Sequence, residues 1–166
     1  VADRSLRSDV DEMLHERGLT GEALVLEITE STSIADPEAA TEALQSLRAI
    51  GVRIELDDFG SGYGSFKALH ELPLDAVKID RHLVNDLSTG GQRLLAATVD
   101  IAHRLELEVV AEGIEDEETL EVVRRLGCDT AQGYYLARPM RPDALWRLLA
   151  TDAAGAGPVI PAGGRW

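Results

Sequence analysis

Five short apolar runs recur along the chain, and each is separated from the next by a segment of helical periodicity. The runs are Leu24–Glu30, Arg53–Phe59, Ala76–Asp80, Glu108–Ile114 and Thr130–Leu136. Segments of this length, apolar and containing β-branched residues, read as strands, and those that end in polar residues read as buried parallel strands leaving a sheet. The intervening segments read as helices. Leu6, Val10, Met13 and Leu14 share one face before Gly18 stops the turn, and Asp36-Pro37 caps a helix that reaches about Ile50. A short helix ending at Leu72 follows, then Gly91–Leu105, Glu117–Leu126 and Pro142–Ala150. Strands alternating with helices at this spacing mean βαβ units and a parallel sheet. A closed (β/α)₈ barrel has eight strands and typically about 250 residues. Five strands in 166 residues therefore predict an α/β fold that is either an open sheet or a partial (β/α)₈ barrel with a piece missing.

Residues 1–150 are expected to form that one domain. From residue 151 the Ala/Gly/Pro-rich sequence lacks periodicity and is expected to be a flexible tail. Val1 in first position, with no methionine, reads as the mark of a fragment or an alternative start codon. No run approaches the ~18 apolar residues of a membrane span, and no signal pattern opens the chain, so a cytoplasmic location is expected. The net charge of −14 would repel a nucleic-acid polymer. It leaves room for a small anionic substrate if divalent cations lie between carboxylates and phosphates. Cys128 is the one cysteine and reads as a small buried residue.

In barrels of this kind the chemistry gathers at the C-terminal ends of the strands. Here those ends carry Glu27 and Glu30, Asp57 and Asp58, Lys78 and Asp80, Glu112 and Glu115, and finally Gln132. A single polar residue at a strand end is often just a loop residue facing water. Coincidence at five ends is harder to accept. Carboxylates converging from several strands need positive charge among them, and hard oxygen ligands select Mg²⁺ or Mn²⁺. Such a set suits metal-assisted phosphoryl chemistry, with a nearby lysine to orient water or balance charge.

Five motifs stand in order: Leu26-Glu27-Ile28-Thr29-Glu30-Ser31; Leu56-Asp57-Asp58-Phe59-Gly60-Ser61-Gly62-Tyr63; Leu72-Pro73-Leu74-Asp75 with Val77-Lys78-Ile79-Asp80; Val110-Ala111-Glu112-Gly113-Ile114-Glu115; and Leu126-Gly127-Cys128-Asp129 with Gln132-Gly133-Tyr134. Over about residues 1–150 this series resembles the C-terminal two-thirds of an EAL domain, the family that hydrolyses the bacterial second messenger cyclic di-GMP. The resemblance implies metal-ligand positions at Glu27, Asp57, Asp58 and Glu112, a water-orienting lysine at Lys78, and a glutamine beside the site at Gln132. It also implies that Glu30 braces the loop from Asp58 to Phe66, whose Gly60, Gly62 and Gly64 supply backbone freedom.

Two departures stand out. The Glu-Ala-Leu motif that names the family and the Asn of its following strand are not in this sequence. Glu22-Ala23-Leu24 spells the same letters but directly precedes the first strand, two βα units too late. Glu55 stands where the family usually has a small residue; by two-residue alternation it shares a face with Asp57 and points into the barrel interior, with Arg53 or solvent to relieve its burial. His15, His70, His82 and His103 lack mutual metal spacing and read as surface or packing residues. Arg138-Pro139-Met140 reads as a structural turn.

The expected function is metal-dependent hydrolysis of cyclic di-GMP to linear pGpG in bacterial signalling, with this chain inactive alone. One alternative is a degenerate module that binds cyclic di-GMP or a protein partner without hydrolysis. The other is a remnant that folds by pairing its open edge with a second copy. A homodimer, through the barrel surface or that edge, is expected.

Overall fold

A computed structural model describes residues 5–29, 37–61 and 66–152. The five strands form one parallel sheet in chain order: β1 (Val25–Thr29), β2 (Arg53–Phe59), β3 (Ala76–Ile79), β4 (Glu108–Ala111) and β5 (Thr130–Ala131). The helices are α1 (Leu6–Glu16), α2 (Pro37–Arg48), α3 (Phe66–Glu71), α4 (Arg81–Val84), α5 (Thr89–Arg104), α6 (Glu117–Arg125) and α7 (Pro142–Asp152). None of the described helices is long and apolar enough to cross a membrane.

Alternation along β2 shows how the sheet is sorted. Ile54 and Leu56 are buried in the core, whereas Arg53, Glu55 and Asp57 lie on the other, inner face. The core gathers Leu44 and Leu47 of α2, Leu95, Val99 and Ala102 of α5, and Val123 of α6 against Ile54, Leu56, Val77 and Val109. Truncating one of these, as in Leu44→Ala, costs about 2–5 kcal/mol because the cavity only partly closes. Two local side-chain caps start helices. Ser88 Oγ accepts from Gly91 N at 3.1 Å to start α5, and Asp116 accepts from Thr119 N at 2.8 Å to start α6.

Several boundaries differ from the sequence expectation. β4 stops at Ala111, short of Ile114, because Gly113 turns with φ 70°, and a Cβ there would collide with Arg81. β5 has two residues and does not reach Leu136. At Gly133 a Cβ would collide with the Ile114 backbone, and Leu136 N and Ala137 N both donate to Gly133 O at 3.1 Å, so the chain turns where a strand was expected. α4 was not anticipated. α7 runs two residues past Ala150; the rest of the expected tail, from residue 153, lies outside the described residues, as do Glu30, Gly62 and Gly64.

Candidate active site

Parallel pairing brings the C-terminal ends of β1 to β4 to one edge of the sheet. The register Leu56↔Val77 and Lys78↔Val110 sets Lys78 of β3 between the ends of β2 and β4. Its side chain is 6% exposed, and Nζ lies 2.7 Å from Glu27 Oε1, 2.8 Å from Glu112 Oε1 and 2.9 Å from Asp57 Oδ1. Burial alone would lower the pKa of this amine. The three carboxylates close around Nζ, Glu112, Glu27 and Asp57, outweigh it, so Lys78 titrates above the ordinary lysine range. At neutral pH Lys78 is an ammonium, a donor and countercharge rather than a base.

Asp57 and Asp58 are neighbours, so regular alternation would send them to opposite faces. Asp58 instead adopts φ 59°, and the β2–β3 register shifts between Leu56 and Phe59. This bulge returns Phe59 to the core and lets both aspartates serve the rim. One carboxylate oxygen each from Asp57, Asp58 and Glu112 lie within 4.8 Å of one another. Asp57 Oδ1 is buried and, although close to Lys78 Nζ, has no hydrogen-bond partner of acceptable direction. The Lys78 ammonium brings charge to it but is shared among three carboxylates, so a further cation would complete the acceptor. The donor set is all oxygen, the kind that hard divalent cations take. The residues present therefore fit such an ion.

The remaining expected site residues are distributed as follows. Glu27 is not among the three converging carboxylates; it joins the site through Lys78, with its side chain half exposed. Gln132 is exposed, and its backbone links β5 to β4 through Gln132 N to Ala111 O at 2.8 Å. No hydrogen bond among the described residues ties its side chain to the Lys78 cluster. Glu30 lies outside the described residues. Asp80, grouped by sequence with the strand-end acids, caps α4 instead, accepting from His82 N at 2.8 Å and pairing with His82 Nδ1 at 2.6 Å. The signal for that role was available: an aspartate directly before a short run of helix formers. Glu22 lies in a 3₁₀ turn (Gly21–Ala23) before β1, at the opposite end of the strand from the site.

The opposite end of the inner face carries a second polar layer. Arg53 donates to Glu108 Oε2 at 2.7 Å and lies 3.9 Å from Glu55 Oε1. Glu55 is on the inner face, as expected, and is largely covered; burial raises its pKa and Arg53 only partly offsets that. Sequence reasoning had named Arg53 as the relief for Glu55 but missed Glu108, its closer partner. His103 pairs with Asp129 at 2.9 Å, and the same Asp129 oxygen takes Val109 N–H at 2.9 Å, so this histidine supports packing. Cys128 is buried, and that burial, with Asp129 beside it, pushes its thiol up to about 12.

The EAL domain family matches residues 1–139 of the chain. The bifunctional diguanylate cyclase/cyclic di-GMP phosphodiesterase MucR of Pseudomonas aeruginosa is 43% identical over 124 residues, which is 74% of this chain and 18% of MucR. The chain thus spans about a fifth of the length of the curated relatives it matches. In structure it resembles the MucR phosphodiesterase in complex with c-di-GMP at a TM-score of 0.78 and 40% identity, over 87% of this chain and 65% of that one. The EAL domain of Mycobacterium smegmatis DcpA gives 0.84 and 35%, over 89% and 67%. Klebsiella pneumoniae BlrP1, in a manganese/cy-diGMP complex, gives 0.76 and 29%, over 82% and 36%. The likeness thus runs through the sequence, the parallel sheet and the strands that carry the carboxylates, and this chain belongs to the EAL domain family.

Proposed function

We propose that this chain carries most of the active-site rim of a cyclic di-GMP phosphodiesterase that uses Mg²⁺ or Mn²⁺ to open the cyclic dinucleotide to linear pGpG. The observation that supports this most is the convergence of Asp57, Asp58 and Glu112 within 4.8 Å, with a buried Asp57 oxygen lacking a hydrogen-bond partner. Those three carboxylates would hold the ion, and Glu27 would join them on release from Lys78. The bound ion supplies Lewis-acid charge at the phosphodiester and acidifies water. In the hydrolysis a water oxygen forms a bond to phosphorus, the P–O3′ bond breaks, and the 3′-oxygen leaves as a hydroxyl. Lys78, held as an ammonium by its carboxylates, orients the attacking water and offsets charge gathered on the phosphoryl oxygens. Gln132, on the same rim, supplies an amide to the substrate.

The protein is cytoplasmic and does not hold nucleic-acid polymers, because its charge of −14 repels them. It pairs with a second copy through the barrel surface or the edge of β1, which among the described residues has one neighbour in the sheet. The test is titration of this chain and of an N-terminally extended version with cyclic di-GMP and Mn²⁺ or Mg²⁺, following linear product. Turnover by the extended form supports the enzyme. Binding without turnover by either form would replace it with a receptor, and absence of binding would remove both.

A further inference from the structure

The turn after β5 carries two consecutive aromatics, Tyr134 and Tyr135, in a chain with only three tyrosines, and both are exposed. Tyr134 keeps 57% of its surface open even though the Arg138 guanidinium lies over its ring, 4.9 Å from the centroid. Arg138 makes no ion pair among the described residues, in a chain with thirty acidic side chains. An exposed ring with a cation behind one face has its other face available. The turn is also fixed in place. Ile114 N donates to Gln132 O at 3.1 Å, Tyr135 N donates to Ile114 O at 3.0 Å, and the backbone at Gly133 admits no side chain. Tyr134 is therefore anchored on both sides to Ile114, two residues beyond Glu112, and its position is tied to that of a candidate metal ligand.

We propose that Tyr134, braced by Arg138, is a stacking platform for a nucleobase of the bound substrate; this rests on the phosphodiesterase reading of the neighbouring carboxylates. A base offers a neutral π-face, so it meets the acidic rim without the repulsion a phosphate would feel, and stacking on an aromatic ring tolerates any base. The cation behind the ring strengthens the arrangement and holds the ring's tilt. The turn expected at Arg138-Pro139-Met140 thus has a purpose: it carries the guanidinium back over Tyr134.

The experiment measures Mn²⁺-dependent binding of cyclic di-GMP, guanosine 5′-phosphate and ribose 5-phosphate to the wild-type protein and to Tyr134→Leu, Tyr134→Phe and Arg138→Met. The wild type is expected to prefer guanosine 5′-phosphate over ribose 5-phosphate by about tenfold or more, the size of one base–aromatic stack. Tyr134→Leu is expected to erase that preference, Tyr134→Phe to keep it, and Arg138→Met to reduce it. A preference that survives Tyr134→Leu, or equal binding of the two monophosphates by the wild type, would sink the platform alone. Failure of the wild type to bind cyclic di-GMP would instead sink the reading of the carboxylate site, and the platform with it.

Discussion

The inner face of the sheet has an acidic layer at each end, and each layer is organised around one cation. At the C-terminal rim Lys78 is almost fully covered and touches Glu27, Asp57 and Glu112, with Asp58 alongside. At the opposite end Arg53 is about two-fifths exposed and serves Glu108 closely and Glu55 at arm's length. The second layer sets one guanidinium against two carboxylates, a partly solvated close pair with Glu108 and a covered Glu55 beyond it. The first gathers four carboxylates about one ammonium, leaves Asp57 Oδ1 without a hydrogen bond, and shields the cation from water. Asp57 and Glu112 are its covered members, two negative charges that share one ammonium with a half-exposed Glu27, and surplus charge in such cover is expensive in a folded chain. The difference marks the rim as built for an additional cation and the far layer as built for the fold.

The sharpest way to break this contrast is Lys78→Met. Removing the buried partner of three carboxylates is expected to cost about 3 kcal/mol, the low end for a broken buried pair because Glu27 is half exposed. Urea unfolding reads the loss, and Mn²⁺ should restore part of it by replacing the missing charge; a loss under ~1 kcal/mol would mean the rim is solvated like the far layer. Asp57→Asn comes next. It removes a repulsive charge and one ion ligand, so metal-free stability should change by less than about 1 kcal/mol. Stabilisation by Mn²⁺ should disappear, an effect worth about 2.7 kcal/mol for the parent at a hundred times Kd. An undiminished melting shift with Mn²⁺ in this variant would place the ion elsewhere.

The two ends were not equally legible in the sequence. The rim showed itself because strand-end positions carry acids in four consecutive βα units, a pattern that alternation and βα topology convert directly into one cluster. The placement of Asp58 beside Asp57 did not follow from alternation, which assigns them opposite faces. It needs a bulge and a left-handed aspartate, and these are backbone choices that side-chain periodicity does not encode. At the far end, parity located Glu55, yet Glu108 lies 55 residues from Arg53, so only the β2–β3–β4 register could pair them. The strand ends at Ala111 and Ala131 were overrun because the apolar residues beyond them look like strand. Steric exclusion at Gly113 and Gly133, a property of distant neighbours, decides the turn.

Arg53→Met probes the far layer and should cost about 1 kcal/mol or less, since both partners of its close pair are substantially solvated. The loss should shrink in 1 M salt, whereas that of Lys78→Met should persist, because buried pairs are screened far less. Equal salt sensitivity of the two variants in parallel urea titrations would erase the distinction between the ends.

A carboxylate belonging to neither layer calibrates the acid limb of stability. Asp116, at the start of α6, accepts from Thr119 N–H, and that bond, chiefly, lowers its pKa below the ordinary aspartate value. A carboxylate with a depressed folded pKa binds protons more readily in the unfolded chain. Its contribution is complete above the unfolded pKa and is lost as pH falls through the lower folded one. Asp116→Asn keeps a capping oxygen but removes the titration. Melting temperatures of the variant and parent should therefore run parallel at pH 6–8 and converge below about pH 4, near the ordinary aspartate pKa. If the gap instead widened as the pH fell, the cap would not be the group that titrates.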